Sequence, residues 1–136
     1  MRTIIISFLL LLSSIIYAQE AVNFSQLDKR NGIYYIHNTN TPFTGKALKN
    51  YPNGKIGMAG TMVNGKFDGV WVWWYSNGQK KRETTYVKGL KQGKSFYWWD
   101  NGVKKLESVF VDDRSVSQKR WSKEGKLLPN PRMGGG

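Results

Sequence analysis

Two consecutive stretches decide the fold: Asn64-Gly65-Lys66-Phe67-Asp68-Gly69-Val70-Trp71-Val72-Trp73-Trp74-Tyr75-Ser76-Asn77-Gly78 and, 24 residues on, Lys88-Gly89-Leu90-Lys91-Gln92-Gly93-Lys94-Ser95-Phe96-Tyr97-Trp98-Trp99-Asp100-Asn101-Gly102. Working outward, the same 24-residue spacing holds for Gly54, Gly78 and Gly102, for Gly45, Gly69 and Gly93, and for Gly65 and Gly89, with a weaker copy at Lys123-Glu124-Gly125. Tyr51, Tyr75 and Trp99 each stand three residues before an Asn-Gly glycine. Met62, Tyr86 and Phe110 keep the register, as do Val63, Val87 and Val111. A fixed period of this kind marks a repeat architecture, in which one supersecondary unit is copied and stacked.

The unit is a pair of strands. Asn-Gly between β-prone runs is a strong hairpin signal, since both residues tolerate the positive φ that tight turns demand. The spacing predicts strands over Lys80–Val87 and its equivalents Ile56–Val63 and Lys104–Val111, and over Val70–Tyr75 and its equivalents Lys46–Tyr51 and Lys94–Trp99. Asn64 to Gly69 and Lys88 to Gly93 read as longer, glycine-bounded turns. Recurrent Gly and Asn disfavour helix. Gly57 and Gly60 mark a candidate bulge. The expected fold is all-β: an antiparallel meander of stacked 24-residue hairpins. Its ends are degenerate, as an array that must close its edges requires. Asn31-Gly32 opens a shorter first unit with Tyr34, Tyr35 and Ile36 as strand and Asn38 to Pro42 as a loop, and Asp112-Asp113-Arg114-Ser115 replaces the last glycine turn.

The 136 residues suffice for one small domain. Residues 1–18 read as a signal peptide: Arg2, an apolar run from Ile4 to Leu12, then small residues ending at Ala18. The run is shorter than the roughly 20 residues a membrane-spanning helix needs. Residues 19–30 form a lead-in, 31–127 the repeat domain and 128–136 a disordered tail. The mature chain is thus expected to be exported, to the periplasm or beyond. It contains no Cys, so packing and hydrogen bonds alone must hold it. The formal charge of +12 favours anionic partners at long range.

The unit Asn64 to Trp71, followed by Trp73-Trp74-Tyr75-Ser76-Asn77-Gly78, resembles the variant MORN repeat. The layout from Asn31 to Leu127, with Pro42-Phe43-Thr44-Gly45 near its start, resembles the bacterial YwqK-like antitoxin family. The resemblance implies an elongated, twisted β-meander and a non-enzymatic role in binding macromolecules, anionic lipids among them. The antitoxin group implies neutralisation of a toxin by contact, a cytoplasmic role from which a signal peptide departs.

Candidate site residues follow from strand parity. Val72, Phe96, Leu48, Met62, Tyr86 and Phe110 are expected on the core face. Trp71, Trp73, Tyr75, Tyr97 and Trp99 then lie on the opposite face, partly exposed, where rings with a wet edge suit a protein or a glycan. The same rings can equally serve as cross-strand ladders that stabilise the sheet. Lys80, Lys81, Lys104 and Lys105 recur beside the turns as a basic ridge, suited to an anionic lipid or cell-wall surface or to protection of the sheet edge. Catalysis finds no support: His37 is the only histidine, Glu83 and Glu107 occupy one repeat position among lysines, and no phosphate loop or nucleophile elbow is present. No cofactor or metal is expected, and export argues against nucleic acid. The reading is an exported binding or scaffold protein. The alternatives are a peripheral module on anionic surfaces and a toxin-neutralising protein.

Overall fold

A computed structural model describes residues 20–130. The expected signal peptide lies outside the described residues, as does most of the expected tail. The elements are β1 (Val22–Asn23), a 3-10 helix (Phe24–Gln26), β2 (Leu27–Arg30), β3 (Ile33–Ile36), β4 (Gly45–Asn50), β5 (Ile56–Val63), β6 (Lys66–Trp74), β7 (Lys80–Val87), β8 (Leu90–Trp98), β9 (Lys104–Val111), β10 (Arg114–Trp121) and β11 (Leu127–Leu128). From β4 to β11 the strands form one antiparallel sheet in chain order, with β1 added in parallel beside β4. β2 and β3 form a separate hairpin. The expected all-β meander is the fold observed.

Two kinds of turn alternate along the sheet. At Pro52-Asn53-Gly54 the Gly54 N–H donates to the Tyr51 carbonyl at 2.9 Å and the Tyr51 N–H to the Lys55 carbonyl at 2.8 Å. Only the glycine takes positive φ, +82°. This is the three-residue hairpin in which a glycine bulge closes a turn. The asparagine acts through its side chain instead: Asn53, Asn77 and Asn101 Oδ1 accept from the N–H two residues on, at 3.0, 3.0 and 3.1 Å. Asn77 and Asn101 also donate through Nδ2 to the carbonyls of Asp100 and Lys123, in the next repeat.

At the other edge the turns differ from expectation. Asn64-Gly65, Lys88-Gly89 and Asp112-Asp113 have positive φ at both residues, between 46° and 84°. They are two-residue turns rather than six-residue loops. Strands β6 and β8 therefore begin at Lys66 and Leu90. Gly69 and Gly93 lie within those strands, with φ of +72° and +71°, where the ladder with the preceding strand slips.

The shorter turn reverses part of the face assignment. Met62 pairs with Phe67, Tyr86 with Gly69, and Phe110 with Gly93. These residues share a face with Trp71 and Trp73, the inner face. Leu48, Ala59, Val72, Glu83, Phe96 and Glu107 are successive cross-strand partners on the opposite, outer face. Val72, Phe96 and Leu48 are thus not core residues of the same face as Met62, Tyr86 and Phe110. A change of one residue in pairing moves every side chain to the other face.

The N-terminal segment covers the inner face at one end. Phe43, Ala47, Met62, Trp71 and Tyr86 are buried, with Val22, Phe24, Leu27, Tyr34, Met58, Phe67 and Trp73 packed against them. The Trp71 ring lies flat on Phe67 at 3.9 Å and meets Phe24 edge-on at 6.0 Å. Its Nε1–H donates to the Thr61 carbonyl at 2.8 Å. Directly beneath stands Gly60, where a β-carbon would come within 2.2 Å of the indole. The ring fits because the strand below it carries no side chain at that point. Further along the same face the buried positions Thr84, Ser95 and Ser108 are small, and the Ser95 and Ser108 hydroxyls have no hydrogen-bond partner.

Candidate functional site

The five aromatic candidates fall into three environments. Trp71 has no exposed surface. The expectation of a partly exposed ring is corrected for it: it is the centre of the core. Trp73 and Tyr97 lie on the inner face with the Arg82 guanidinium between them, 4.2 and 5.3 Å from the ring centres. Arg82 also donates through Nε to Thr84 Oγ1 at 2.9 Å and through Nη2 to the Tyr86 hydroxyl at 2.8 Å. Burial pushes the Tyr86 phenol upward, and the Arg82 charge opposes that shift.

Tyr75 and Trp99 stand at the Asn-Gly edge and bind the repeats to one another. The Tyr75 hydroxyl donates to the Trp98 carbonyl at 2.8 Å, and Trp99 Nε1–H to the Trp121 carbonyl at 3.2 Å. Tyr51 does the same with Trp74 at 2.7 Å. Each repeat thus reaches the equivalent backbone position of the next. Burial raises the Tyr75 phenol above its ordinary value.

The four lysines do not stand apart as one free ridge. Lys80 Nζ lies 2.8 Å from Glu83 Oε2 and 5.5 Å from the Trp98 ring centre. Lys104 Nζ lies 3.3 Å from Glu107 Oε2 and 5.3 Å from the ring centres of both Phe96 and Trp121. Lys81 and Lys105 sit over Tyr75 and Trp99 at 5.4 and 4.2 Å. Each ammonium group is engaged with a carboxylate or an aromatic face, and these contacts draw their charge into the sheet surface.

The outer face assembled by the register is the surface that parity alone missed. Trp74 pairs with Lys80, and Trp98 with Lys104. With Phe96 and Trp121 they form a band of half-buried rings, and Phe96 and Trp98 meet at 6.0 Å. Toward the other edge Val63, Val70, Val87 and Val111 are exposed. The N-terminal residues that pack on the sheet, Phe24, Leu27 and Tyr34 among them, do so against the inner-face core. The signal that would have found it is the Asn64-Gly65 dipeptide read as a complete turn, which places Trp74 and Trp98 opposite the core.

Among the described residues no group of three or more His, Cys, Asp or Glu side chains could hold a metal ion. No helix among them is long and apolar enough to cross a membrane.

Comparison with known proteins agrees with the repeat. The family model described as MORN repeat variant matches residues 67–88, which run from Phe67 on β6 through β7 to the following turn. That match supports a MORN-repeat protein and does not extend to the antitoxin group. No curated protein and no solved structure matches the chain.

Proposed function

We propose that this chain is an exported, non-catalytic binding module whose outer sheet face holds a protein partner. The observation that carries the reading is the uncovered outer face, with Trp74, Phe96, Trp98 and Trp121 half-buried on it between paired charges. Rings with exposed edges supply contact area at low entropic cost, and aromatic residues are enriched at protein interfaces. Glu83 and Glu107 beside Lys80 and Lys104 present both signs of charge. That mixture complements a protein surface better than a neutral glycan or a uniformly anionic membrane. A toxin neutralised by contact, the role implied by the antitoxin resemblance, would be a partner of the same class.

The test is capture from cell-envelope extract with the Trp74→Ala/Trp98→Ala variant and, for comparison, Tyr97→Ala on the inner face. Loss of the captured protein in the first variant only, with the β-sheet circular dichroism intact, is the expected result. Capture that survives loss of both outer rings removes the outer face from consideration.

A further inference from the structure

A groove of about 400 Å³ runs between the β2–β3 hairpin and the two-residue turns of the sheet. Three lysines, Lys29, Lys66 and Lys88, and three aromatic rings, Tyr34, Phe67 and Tyr86, line it, and no carboxylate does. Among the described residues no acid pairs with any of the three ammonium groups. The carboxylates at this edge lie outside the groove lining and have backbone or amide partners: Asp68 accepts the Lys88 N–H at 3.4 Å from the outer-face side, Asp113 accepts the Lys91 N–H at 2.8 Å, and Asp112 accepts from the Gln92 side chain.

The groove is held in shape by backbone contacts. The Tyr34 N–H donates to the Gly65 carbonyl at 2.9 Å, and the Phe43 N–H to the Tyr34 carbonyl at 2.9 Å. A β-carbon at Gly65 would lie 2.5 Å from the Tyr34 carbonyl oxygen and from Ile33, so only glycine permits the hairpin to dock this closely. Tyr34 and Phe67 stack at 6.0 Å with 17° between their planes.

We propose that this groove binds an acidic sugar unit, its carboxylate among the three lysines and its C–H face against Tyr34 and Phe67. Lys29 Nζ lies 5.3 Å from the Tyr34 ring centre, while Lys66 and Lys88 are exposed without an acid partner, so the groove attracts negative charge. A bare anion would make no use of the adjoining rings, which suit the apolar face of a pyranose. An acidic peptide adding as a strand would need free backbone donors, and those at this wall are spent: the Gly65 N–H donates to Phe43 and the Gly89 N–H to Phe67, at 2.7 and 2.9 Å. Recognition must come from side chains, and the exposed Asn31 amide stands at the rim to meet a hydroxyl. The volume fits one small ligand unit.

The test is an amide-resolved NMR titration of the protein with trigalacturonate, beside maltotriose, inorganic phosphate and tetraglutamate. Trigalacturonate should shift the Gly65 and Gly89 amides and maltotriose should not. Affinity should fall with added salt. It should fall at least about tenfold in Lys66→Gln/Lys88→Gln, two changes at a solvent-facing edge that leave the melting curve in place. No shift at millimolar trigalacturonate, or binding indifferent to the double variant, overturns the proposal. Phosphate or tetraglutamate binding there as tightly also overturns it, because the rings would then contribute nothing. The Trp74→Ala/Trp98→Ala variant should bind trigalacturonate normally, so this site and the outer face fail or stand separately.

Discussion

Replacing Gly60 by alanine adds one methyl group at the most crowded point of the fold. The new carbon would stand 2.2, 2.5 and 2.6 Å from three atoms of the Trp71 indole. Ordinary contact begins near 3.4 Å, so ring or strand must yield by about an ångström. The ring cannot yield freely: Phe67 lies flat on it, Phe24 meets it edge-on, and Nε1–H is tied to Thr61. Overpacking of this kind costs about 1–3 kcal/mol, and the tightness puts Gly60→Ala at the upper end. Loss of glycine's freedom in the unfolded chain returns about 0.4–1 kcal/mol. The net expectation is about 2 kcal/mol, or a melting midpoint lower by roughly 10 °C. The repeat offers the matching control, since 24 residues on Gly60 becomes Thr84 and Trp71 becomes Ser95. Trp71→Ser alone should cost about 3–5 kcal/mol through the cavity it leaves. In that background only the unfolded-state term remains, so Gly60→Ala should stabilise by about 0.4–1 kcal/mol, giving a coupling of about 3 kcal/mol in a urea double-mutant cycle. If Gly60→Ala costs the same with and without the indole, steric conflict with Trp71 is not what the glycine avoids.

Tyr75→Phe removes the hydroxyl that reaches the Trp98 carbonyl and should lower stability by about 1 kcal/mol in urea titration, with little change in the transition's slope. On acidification the β2–β3 hairpin should loosen locally. The Asp28 carboxyl is held below its ordinary value of 3.8 by the hydrogen bond with His37 Nδ1, at 2.8 Å, and by the Asn38 N–H. A depressed carboxyl stabilises the fold above that value and loses its effect as pH falls through its lowered one. Amide exchange at Asn38 should therefore rise in strongly acidic solution, and Asp28→Asn should abolish that step.

The 24-residue period, the order of the strands and the bounds of β5, β7 and β9 were legible from residue spacing. Spacing reports what recurs, and hairpins recur. The faces were not legible, and the cause is one turn. Read as a six-residue loop, Asn64 to Gly69 leaves the phase between its two flanking strands undetermined. As the two-residue turn it is, it sets Met62 against Phe67 and sends Trp71 to the core. Nor was the cover over the core legible. Phe24 and Tyr34 lie outside the repeat register, so no periodic argument reaches them. The capping box in which Asn23 and Gln26 close the 3-10 helix is the local trace they leave. Of the candidate site residues, Trp73, Tyr75, Tyr97 and Trp99 have structural partners that account for their recurrence. Trp74 and Trp98 were hidden because they share a parity mistaken for the interior.

The bonds from Tyr51 to Trp74, Tyr75 to Trp98 and Trp99 to Trp121 all point the same way along the chain. Each copy supplies a donor forward and offers a carbonyl backward. The array therefore has polarity, like a row of hooks and eyes, and its two ends are chemically unlike. A duplicated unit spliced in at an Asn-Gly turn would arrive with its own hook and its own eye and leave no group unmatched. Removing the last unit would strand a donor instead. Lengthening this protein by whole copies is chemically simple, and shortening it from the C-terminal side is not.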